Sequence, residues 1–445
     1  MRIALPESRR GALAWLAPAV FACYCNSLWT DFQFDDYNVI VNNPRVHTWQ
    51  SWREGLEVGI RPILKLSYTF NWTSGLGVAG FHFTNMVIHL CNVFLVFALT
   101  RHFVHSRPQL LERGVPFFTA LLFALHPIHT EAVTYICGRS IALMTLFYLA
   151  GLLSYVSGRT HYNRLLLYFV TPLCFIAALS VKETAVTFPL ALLAWQMASG
   201  DSFRAALRYQ WPNWAVLVLG GVFFLWSHSY LAEMERSAGL NSLRGNMATQ
   251  AIAFFYLMRQ WIFPLWLNID PDLQVAHGFA GQLPQLFSLA AAFVLMLLTF
   301  RRRPWIGFGL AWAFIQLVPL YIFLPRPDVA NDRQMYLVSW PLALIFTAEM
   351  AIRMRQKTLV LAGAALTLVL GSFTVMRNHV YRDEISLWED TVMLSPHKAR
   401  VLNNLGYAYM LANRDEDARR EFKAALQLDP LYYKARNNLD SLNNQ

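Results

Sequence analysis

The sequence predicts an all-α, polytopic membrane protein that ends in a short helical tail. Of its 445 residues, 56% are hydrophobic and only 14% are charged, whereas a soluble globular protein carries about 25% charged residues. The apolar residues form runs close to the length that a membrane-crossing helix needs, roughly 20 residues. From about residue 377 the composition becomes polar, and helical periodicity replaces the apolar runs.

The apolar runs define the candidate spans: 11–30, 82–104, 115–136, 140–157, 164–181, 184–199, 213–231, 248–268, 284–300, 304–324, 335–352 and 358–376. Arginine and lysine indicate their orientation, because cytoplasmic loops are enriched in both residues. Arg9 and Arg10 keep the N-terminus cytoplasmic, and Arg301, Arg302 and Arg303 remain inside only if 248–268 does not cross. We therefore expect about 11 crossings plus one non-spanning hydrophobic helix, with the C-terminus outside.

The basic residues exclude some functions. The formal charge is +10, but the basic residues cluster at the ends of apolar runs. This pattern is typical of a membrane protein and not of a nucleic-acid-binding protein. The five cysteines lie in or beside apolar runs without a CxxC pair. That pattern favours buried thiols over disulfides or a metal site.

The polar tail carries a repeat pattern. Seven residues fall at the spacings of a tetratricopeptide repeat: Leu405, Gly406, Tyr409, Ala418, Phe422, Ala425 and Pro430. One unit with a half unit on each side cannot bury its own apolar faces, so we expect it to pack on the membrane part. The predicted domains are a membrane domain, 1–376, and a tail, 377–445, which could be a structural cap or a docking platform for a protein acceptor.

With this orientation, nearly every embedded ionisable group lies on the outer leaflet side of the bundle. These candidates are Asp35, Asp36 and Arg61 in the first outer loop (31–81), His82 in the second span, His129, Glu131 and Arg139 after the third, Lys182 and Glu183 after the fifth, and Arg333 before the tail. Charged side chains are costly in a membrane, so such residues are functional candidates. Their position predicts a reaction centre in which acids transfer protons and cations hold an anionic group.

Each candidate also has a simpler structural interpretation. Asp35 and Asp36 could be a helix cap and a solvated loop acid, and Arg61 an interfacial anchor. Lys182 and Glu183 could pair with each other, while His82 could hydrogen-bond between helices. The acids and nearby histidines could hold one divalent cation, but Pro127 interrupts the histidine-bearing helix, and we assign no metal ligand.

Several fragments in this order resemble a known family: "FQFDDYNVIVNNP", "RPILKLSYTFNW", "FHFTNMVIHLCN", "ALHPIHTEAVTYICGRS", "KETAVTFPL", "NDRQMYLVSWPL" and "YRDEISLWEDTVMLSP". Together they resemble the transmembrane-and-tetratricopeptide (TMTC) O-mannosyltransferases and their bacterial relatives, among them pilin-modifying arabinosyltransferases. The resemblance implies a GT-C-type helix bundle, a catalytic first outer loop (31–81) and a polyprenyl-phosphate sugar as donor.

The resemblance also implies roles for residues. By matching to the acid pair that similar enzymes hold in this loop, Asp35 is the base that takes a proton from a Ser or Thr hydroxyl, and Asp36 orients it or raises its pKa. Arg333 is the first candidate for the donor phosphate, because an arginine fork fits phosphate oxygens. The other substrate-binding candidates are Lys182, Arg139, Arg61, His129, Glu131, Glu183 and His82. Direct displacement by one base predicts inversion at the anomeric carbon.

The expected partners are the lipid-linked sugar, membrane lipid and an exported protein such as pilin; the sugar could be mannose-like or arabinofuranose. The preference for arginine over lysine is typical of a GC-rich bacterial genome, which suggests an inner membrane with the active site and C-terminus in the periplasm. The alternatives are a membrane-anchored repeat scaffold, a transferase acting on glycan or lipid acceptors, and a transporter. Charges gathered at one face disfavour the transporter, which should place them near mid-membrane.

Overall fold

The computed structural model describes residues 9–57, 60–226, 231, 235, 242–276, 278–317 and 328–443. Within these residues the regular secondary structure is helical, and no β-strand occurs. The all-α fold class is therefore confirmed.

The part of the chain that precedes the tail contains sixteen described α-helices. They are α1 (Arg9–Tyr24), α2 (Trp49–Glu54), α3 (Pro62–Thr73), α4 (Gly77–Phe103), α5 (Pro108–Glu112), α6 (Val115–Leu125), α7 (Thr130–Val133), α8 (Arg139–Thr160), α9 (Thr171–Leu179), α10 (Phe188–Ala198), α11 (Phe203–Trp226), α12 (Leu243–Ile262), α13 (Leu283–Thr299), α14 (Pro304–Leu317), α15 (Met335–Arg353) and α16 (Gln356–Val380). Short 3₁₀ turns join several of them.

Five helical segments within the described residues are long and apolar enough to cross a membrane: Arg10–Trp29, Gly77–Phe103, Ile136–Thr160, Asp332–Arg353 and Gln356–Val380. Four shorter apolar helices accompany them: Val115–Leu125, Leu166–Leu179, Leu283–Thr299 and Pro304–Leu317. The protein is thus a polytopic, multi-pass membrane protein. The number of crossings, about 11, remains a prediction, and the ends of the expected spans 213–231 and 304–324 lie partly outside the described residues.

The expected span 115–136 is interrupted in the structure. Its helix α6 ends at Leu125, and the chain continues through a 3₁₀ turn, Pro127–His129, the single turn α7 and a second 3₁₀ turn, Ile136–Gly138. Proline has no N–H to donate and disfavours a helical residue before it, so Pro127 ends the helix. The interruption turns a polar segment back into the bundle.

Aromatic side chains rigidify the centre of the bundle. Trp312 and Trp340 are fully buried, and their rings meet edge to face with centroids 5.2 Å apart. Phe308 packs on both tryptophans, and the indole N–H of Trp312 donates to the carbonyl of Leu337 at 3.1 Å. This core joins α14 to α15, the helix that follows Arg333.

The tail forms four helices, α17 (Glu384–Leu394), α18 (Ala399–Leu411), α19 (Asp415–Leu428) and α20 (Tyr433–Asn443). As expected, it packs on the membrane part. Asp270, buried in the segment after α12, accepts hydrogen bonds from Lys398 at 2.6 Å and from Nε of Arg400 at 2.7 Å. The ring of Trp388 lies edge to face on Phe34, one residue before Asp35, so the tail and the first outer loop share a contact.

Candidate active site

Asp36 anchors the first outer loop to the rest of the bundle. Its buried carboxylate accepts the N–H of Cys137 at 2.8 Å and the N–H of Gln33 at 3.0 Å. Burial raises the pKa of Asp36 to about 7, and the charge of Asp35 adds only a minor upward contribution. Since both oxygens are engaged by backbone, the geometry favours positioning over direct chemistry for Asp36.

Asp35 lies beside this anchor and is only half-buried. Its N–H donates to the hydroxyl of Tyr135 at 3.1 Å. The preceding residue, Phe34, has a φ of +47°, the left-handed region that bulky residues rarely adopt. Such strain persists only where the surroundings impose it, and it tends to cluster at functional sites.

Arg333 is the cation with the largest influence on Asp35, and Arg400 in the tail adds a smaller one. Burial raises the pKa of Asp35 above the usual carboxyl value, while the positive charge of Arg333 lowers it and is the largest electrostatic influence. The 3₁₀ turn Asp332–Gln334, at the start of α15, carries Arg333. An acid and a cation about three hundred residues apart in the sequence therefore lie within electrostatic range of each other.

Glu131 holds Arg333 in place. Its buried carboxylate accepts the backbone N–H of Arg333 at 2.9 Å and lies 3.4 Å from Nε of the same residue. The second acid near the guanidinium, Asp328, lies 3.7 Å from Nη2. Both side-chain distances exceed those of charge-assisted hydrogen bonds, about 2.7–2.9 Å, so the fork retains capacity for a ligand. A Cβ at Gly138 would collide with the carbonyl oxygen of Glu131, which explains the glycine there.

Arg61 and Glu183 form a bidentate ion pair. The guanidinium donates from Nε at 2.9 Å and from Nη2 at 2.8 Å to the two carboxylate oxygens. Burial raises the pKa of Glu183, but the charge and hydrogen bonds of Arg61 lower it by more, so the pKa lies below its usual value. Next to this pair, buried Lys182 has its Nζ 3.5 Å from the hydroxyl of Ser140, and its charge reaches Glu131.

Arg139 is fully enclosed by the bundle. Its Nε donates to Asn85 at 2.6 Å, Nη1 to the carbonyl of Ser67 at 3.0 Å and Nη2 to the carbonyl of Phe81 at 2.9 Å. The guanidinium also lies 4.9 Å from the ring centre of Tyr68. These contacts give Arg139 a scaffold role in this structure, below Arg333 as a candidate for phosphate.

The two histidine candidates are also engaged internally. His82 contacts the hydroxyl of Thr30 at 2.8 Å, which ties α4 to the start of the first outer loop. His129 contacts the carbonyl of Phe123 at 2.8 Å and packs against the ring of Tyr336. Both support the walls of the site, and in the described residues no group of three or more His, Cys, Asp or Glu side chains is placed to hold a metal ion.

Arg377 is a residue that the sequence analysis missed. It lies near the end of α16, one residue beyond the expected last span, and its Nη1 donates to Asp390 at 2.5 Å. Its Nε and Nη2 atoms are buried and have no hydrogen-bond partner among the described residues. The carboxylate of Asp332, which accepts the N–H of Asn268 at 2.8 Å, lies close enough to interact with it electrostatically. An arginine directly after an apolar run was the only signal, and it normally indicates a membrane boundary.

Comparison with known proteins identifies related chains. The tetratricopeptide repeat family matches residues 399–432. Protein O-mannosyl-transferase TMTC1 of Homo sapiens is 27% identical over 97% of this chain and 57% of its own length. Protein O-mannosyl-transferase F38B6.6 of Caenorhabditis elegans is 24% identical over 92% of this chain and 61% of its own length. TMTC3 of Mus musculus is 31% identical over 39% of this chain. No solved structure matches.

The chain spans about three fifths of the length of the relatives that align with nearly all of it. The alignments include the first outer loop, the membrane helices and the repeat, which are the regions that carry the ordered motifs. The predicted relationship is confirmed: this chain is a homologue of the TMTC protein O-mannosyl-transferases, with a tetratricopeptide repeat in its tail.

Proposed function

We propose that the protein is an inverting GT-C-type glycosyltransferase that moves one sugar from a polyprenyl phosphate to Ser or Thr hydroxyls of an exported protein. The observation that carries the proposal is that Asp35 lies within electrostatic range of Arg333. Asp35 is a half-buried acid on a strained turn, and Glu131 anchors the backbone of Arg333. Such a transfer needs an acid near a cation that can bind an anion. The relatives, named protein O-mannosyl-transferases, support the same class of reaction.

In the proposed reaction the acceptor hydroxyl oxygen attacks the anomeric carbon as its proton passes to the Asp35 carboxylate. The bond between that carbon and the phosphate oxygen breaks, and polyprenyl phosphate leaves with the bonding electrons. A positioned general base of this kind contributes about 10²- to 10⁴-fold to a rate. Because the attack comes from the face opposite the leaving group, the configuration inverts.

Arg333 is the proposed ligand of the donor phosphate, since its fork is only loosely held by Glu131 and Asp328. Lys182 is the second candidate. Arg377 is a further one, because two of its buried donors have no hydrogen-bond partner in the described parts of the chain. Arg61, Glu183, Arg139, His82 and His129 are proposed to shape the site through the contacts described above. The tail, fixed to the membrane part, is proposed to help dock the protein acceptor.

We place this site on the periplasmic face of a bacterial inner membrane, with the N-terminus cytoplasmic and the C-terminus periplasmic. The distribution of arginines along the chain supports that orientation. Pilin is one acceptor of the proposed class, and the sugar is mannose-like or arabinofuranose.

Mass spectrometry of secreted and pilus proteins, with and without the gene, tests the function. We expect at least one exported protein to lose a single-sugar mass from a Ser or Thr residue when the gene is removed. Complementation with the intact gene should restore that mass. Identical glycosylation of all exported proteins in the two strains would refute the proposed activity.

A further inference from the structure

A cavity of about 630 Å³ lies between the ends of α4, α8 and α10, far from Asp35. The helix α8 begins at Arg139, in the wall of the candidate active site, and Arg159 near its other end lines the cavity. Those twenty residues span about 30 Å at 1.5 Å per residue, roughly the thickness of the hydrocarbon core of a bilayer. The cavity therefore lies at the opposite end of the bundle and is a separate site.

The rim of this cavity is cationic. Three arginines line it, Arg101, Arg107 and Arg159, against one carboxylate, Asp201. Arg159 pairs with Asp201 at 2.9 Å and lies over the ring of Tyr209 at 3.9 Å. Arg101 and Arg107 make no ion pair with any acid in the described parts of the chain. Arg107 donates to the carbonyl of Phe103 and the hydroxyl of Ser106, each at 3.4 Å, and its guanidinium lies 5.7 Å from the ring centre of Trp305. Two guanidinium groups thus retain donors for an anion.

The wall of the cavity is aromatic. Trp195 and Phe103 are nearly buried, with ring centroids 5.2 Å apart, and both line the cavity beside Tyr155. The volume lies within the range of small-molecule sites, about 300–1,000 Å³. An apolar wall beneath a cationic rim fits a ligand with a phosphate group and an adjoining apolar part.

We propose that this cavity binds a phosphate-bearing anion, supplied by the headgroup of an anionic membrane lipid. Enrichment of arginine in cytoplasmic loops accounts for basic residues at this end of the bundle, but it does not account for a cavity lined by two arginines that make no ion pair in the described parts of the chain. Arginine is the side chain best suited to phosphate, because its planar fork donates two parallel hydrogen bonds. The apolar wall accounts for the preference for a lipid over a free phosphate.

Native mass spectrometry of the full-length protein in detergent tests this site, with phosphatidylglycerol and phosphatidylethanolamine as probes. We expect retained phosphatidylglycerol in the unchanged protein and at least about tenfold weaker retention in the double variant Arg101→Gln/Arg107→Gln, which loses charge-assisted bonds. The matched control is Arg164→Gln/Arg208→Gln. It removes the same charge from exposed positions that adjoin the same end of the bundle but do not line the cavity, and retention should stay within about twofold.

Equal losses in the two double variants would overturn the proposal, because general attraction to a basic surface would then explain the binding. Equal retention of both lipids by the unchanged protein would also overturn it.

A parallel experiment titrates pyrophosphate and follows the fluorescence of the protein. A saturable change that only the Arg101→Gln/Arg107→Gln variant loses, without any phosphatidylglycerol retention, supports the phosphate site with a soluble ligand as its source. The single variant Arg101→Gln, whose side chain is half-buried, serves if the double variant does not fold, and it should weaken phosphatidylglycerol retention in the same direction.

Discussion

At the residue scale, two opposing influences act on Asp35. Removing a carboxylate from water favours its neutral form, whereas a nearby arginine favours the ionised form. Burial is the larger effect, so the pKa of Asp35 lies above its ordinary value even with Arg333 present. A base of raised pKa binds a proton more strongly once ionised, which suits proton abstraction from a hydroxyl.

The pH dependence of transfer tests this balance. Since the base must be ionised, activity should fall with decreasing pH through the pKa of Asp35, at a pH above the ordinary 3.8. Arg333→Gln removes the charge that lowers this pKa, so the acid limb of kcat/KM should move to higher pH. Arg333→Lys retains the charge and should leave the limb close to its original position. A limb that does not move in Arg333→Gln would contradict the assigned pairing.

Donor affinity tests the other role of Arg333. Arg333→Lys keeps a positive charge beside buried Glu131 but loses the planar fork, so we expect about 10- to 100-fold weaker donor binding from the loss of a charge-assisted bond. Arg382→Lys is the matched control, because the Arg382 side chain is 68% exposed and bonds to Asp383 and Ser386 of its own segment. Isothermal titration with a short-chain polyprenyl-phosphate sugar measures both. Unaltered affinity in Arg333→Lys would remove this residue from the phosphate site.

The sequence identified the ionisable residues of this site better than it predicted their contacts. Asp35 and Arg333 were identifiable as ionisable residues at one face, and the structure places them within electrostatic reach. Arg139 is also an ionisable residue at that face, but its guanidinium donates to acceptors inside the bundle and packs on the ring of Tyr68. Arg377 could not be predicted as a site residue, because the neighbouring sequence does not indicate that α17 packs on it and places Asp390 beside its guanidinium.

At the scale of elements, proline and buried ion pairs decide the arrangement. Apolar length alone predicted a continuous span over 115–136, but Pro127 ends α6 and leaves Glu131 on a short turn. That turn brings Glu131 against Arg333. The contact depends on a pairing between segments some two hundred residues apart, which no local pattern in one sequence specifies.

The joint between the tail and the membrane part depends on Asp270. Asp270→Asn leaves Lys398 and Arg400 without their counter-charge. Breaking such a buried pair lowers the stability of the contact by about 3 kcal/mol. We therefore expect the amide hydrogens of the tail helices to exchange faster, while those of the membrane helices stay protected. Asp417→Asn is the control, since Asp417 pairs only within the tail, with Arg414 and Arg420. Unchanged exchange in the Asp270 variant would show that apolar contacts alone hold the tail.

At the scale of the whole molecule, composition and hydropathy were sufficient for the fold class. A charge content of 14% and long apolar runs lead directly to a multi-pass helical protein, and the spacing of Leu405, Tyr409 and Phe422 leads to the tetratricopeptide repeat that the family match confirms. The boundary expected at 376/377 falls inside α16, which continues to Val380, because a helix can extend beyond the membrane without a change in its backbone.

The whole molecule also separates two polar regions. The acids and Arg333 gather at one end of the bundle, and the cavity rimmed by Arg101 and Arg107 lies at the other. Apolar and aromatic packing around Trp312 and Trp340 fills the interior between them. This division matches a protein whose catalytic face and lipid-phosphate face lie on opposite sides of a membrane.

The central claim is that Asp35 is the catalytic base, and transfer by the purified full-length protein tests it most directly. The assay follows a polyprenyl-phosphate sugar and an acceptor protein by mass spectrometry, comparing Asp35→Asn with Asp31→Asn, a change at an exposed acid of the same loop. We expect Asp35→Asn to lose about 10²- to 10⁴-fold in rate with unchanged thermal unfolding, and Asp31→Asn to keep its activity. Full transfer by a folded Asp35→Asn variant would contradict the account.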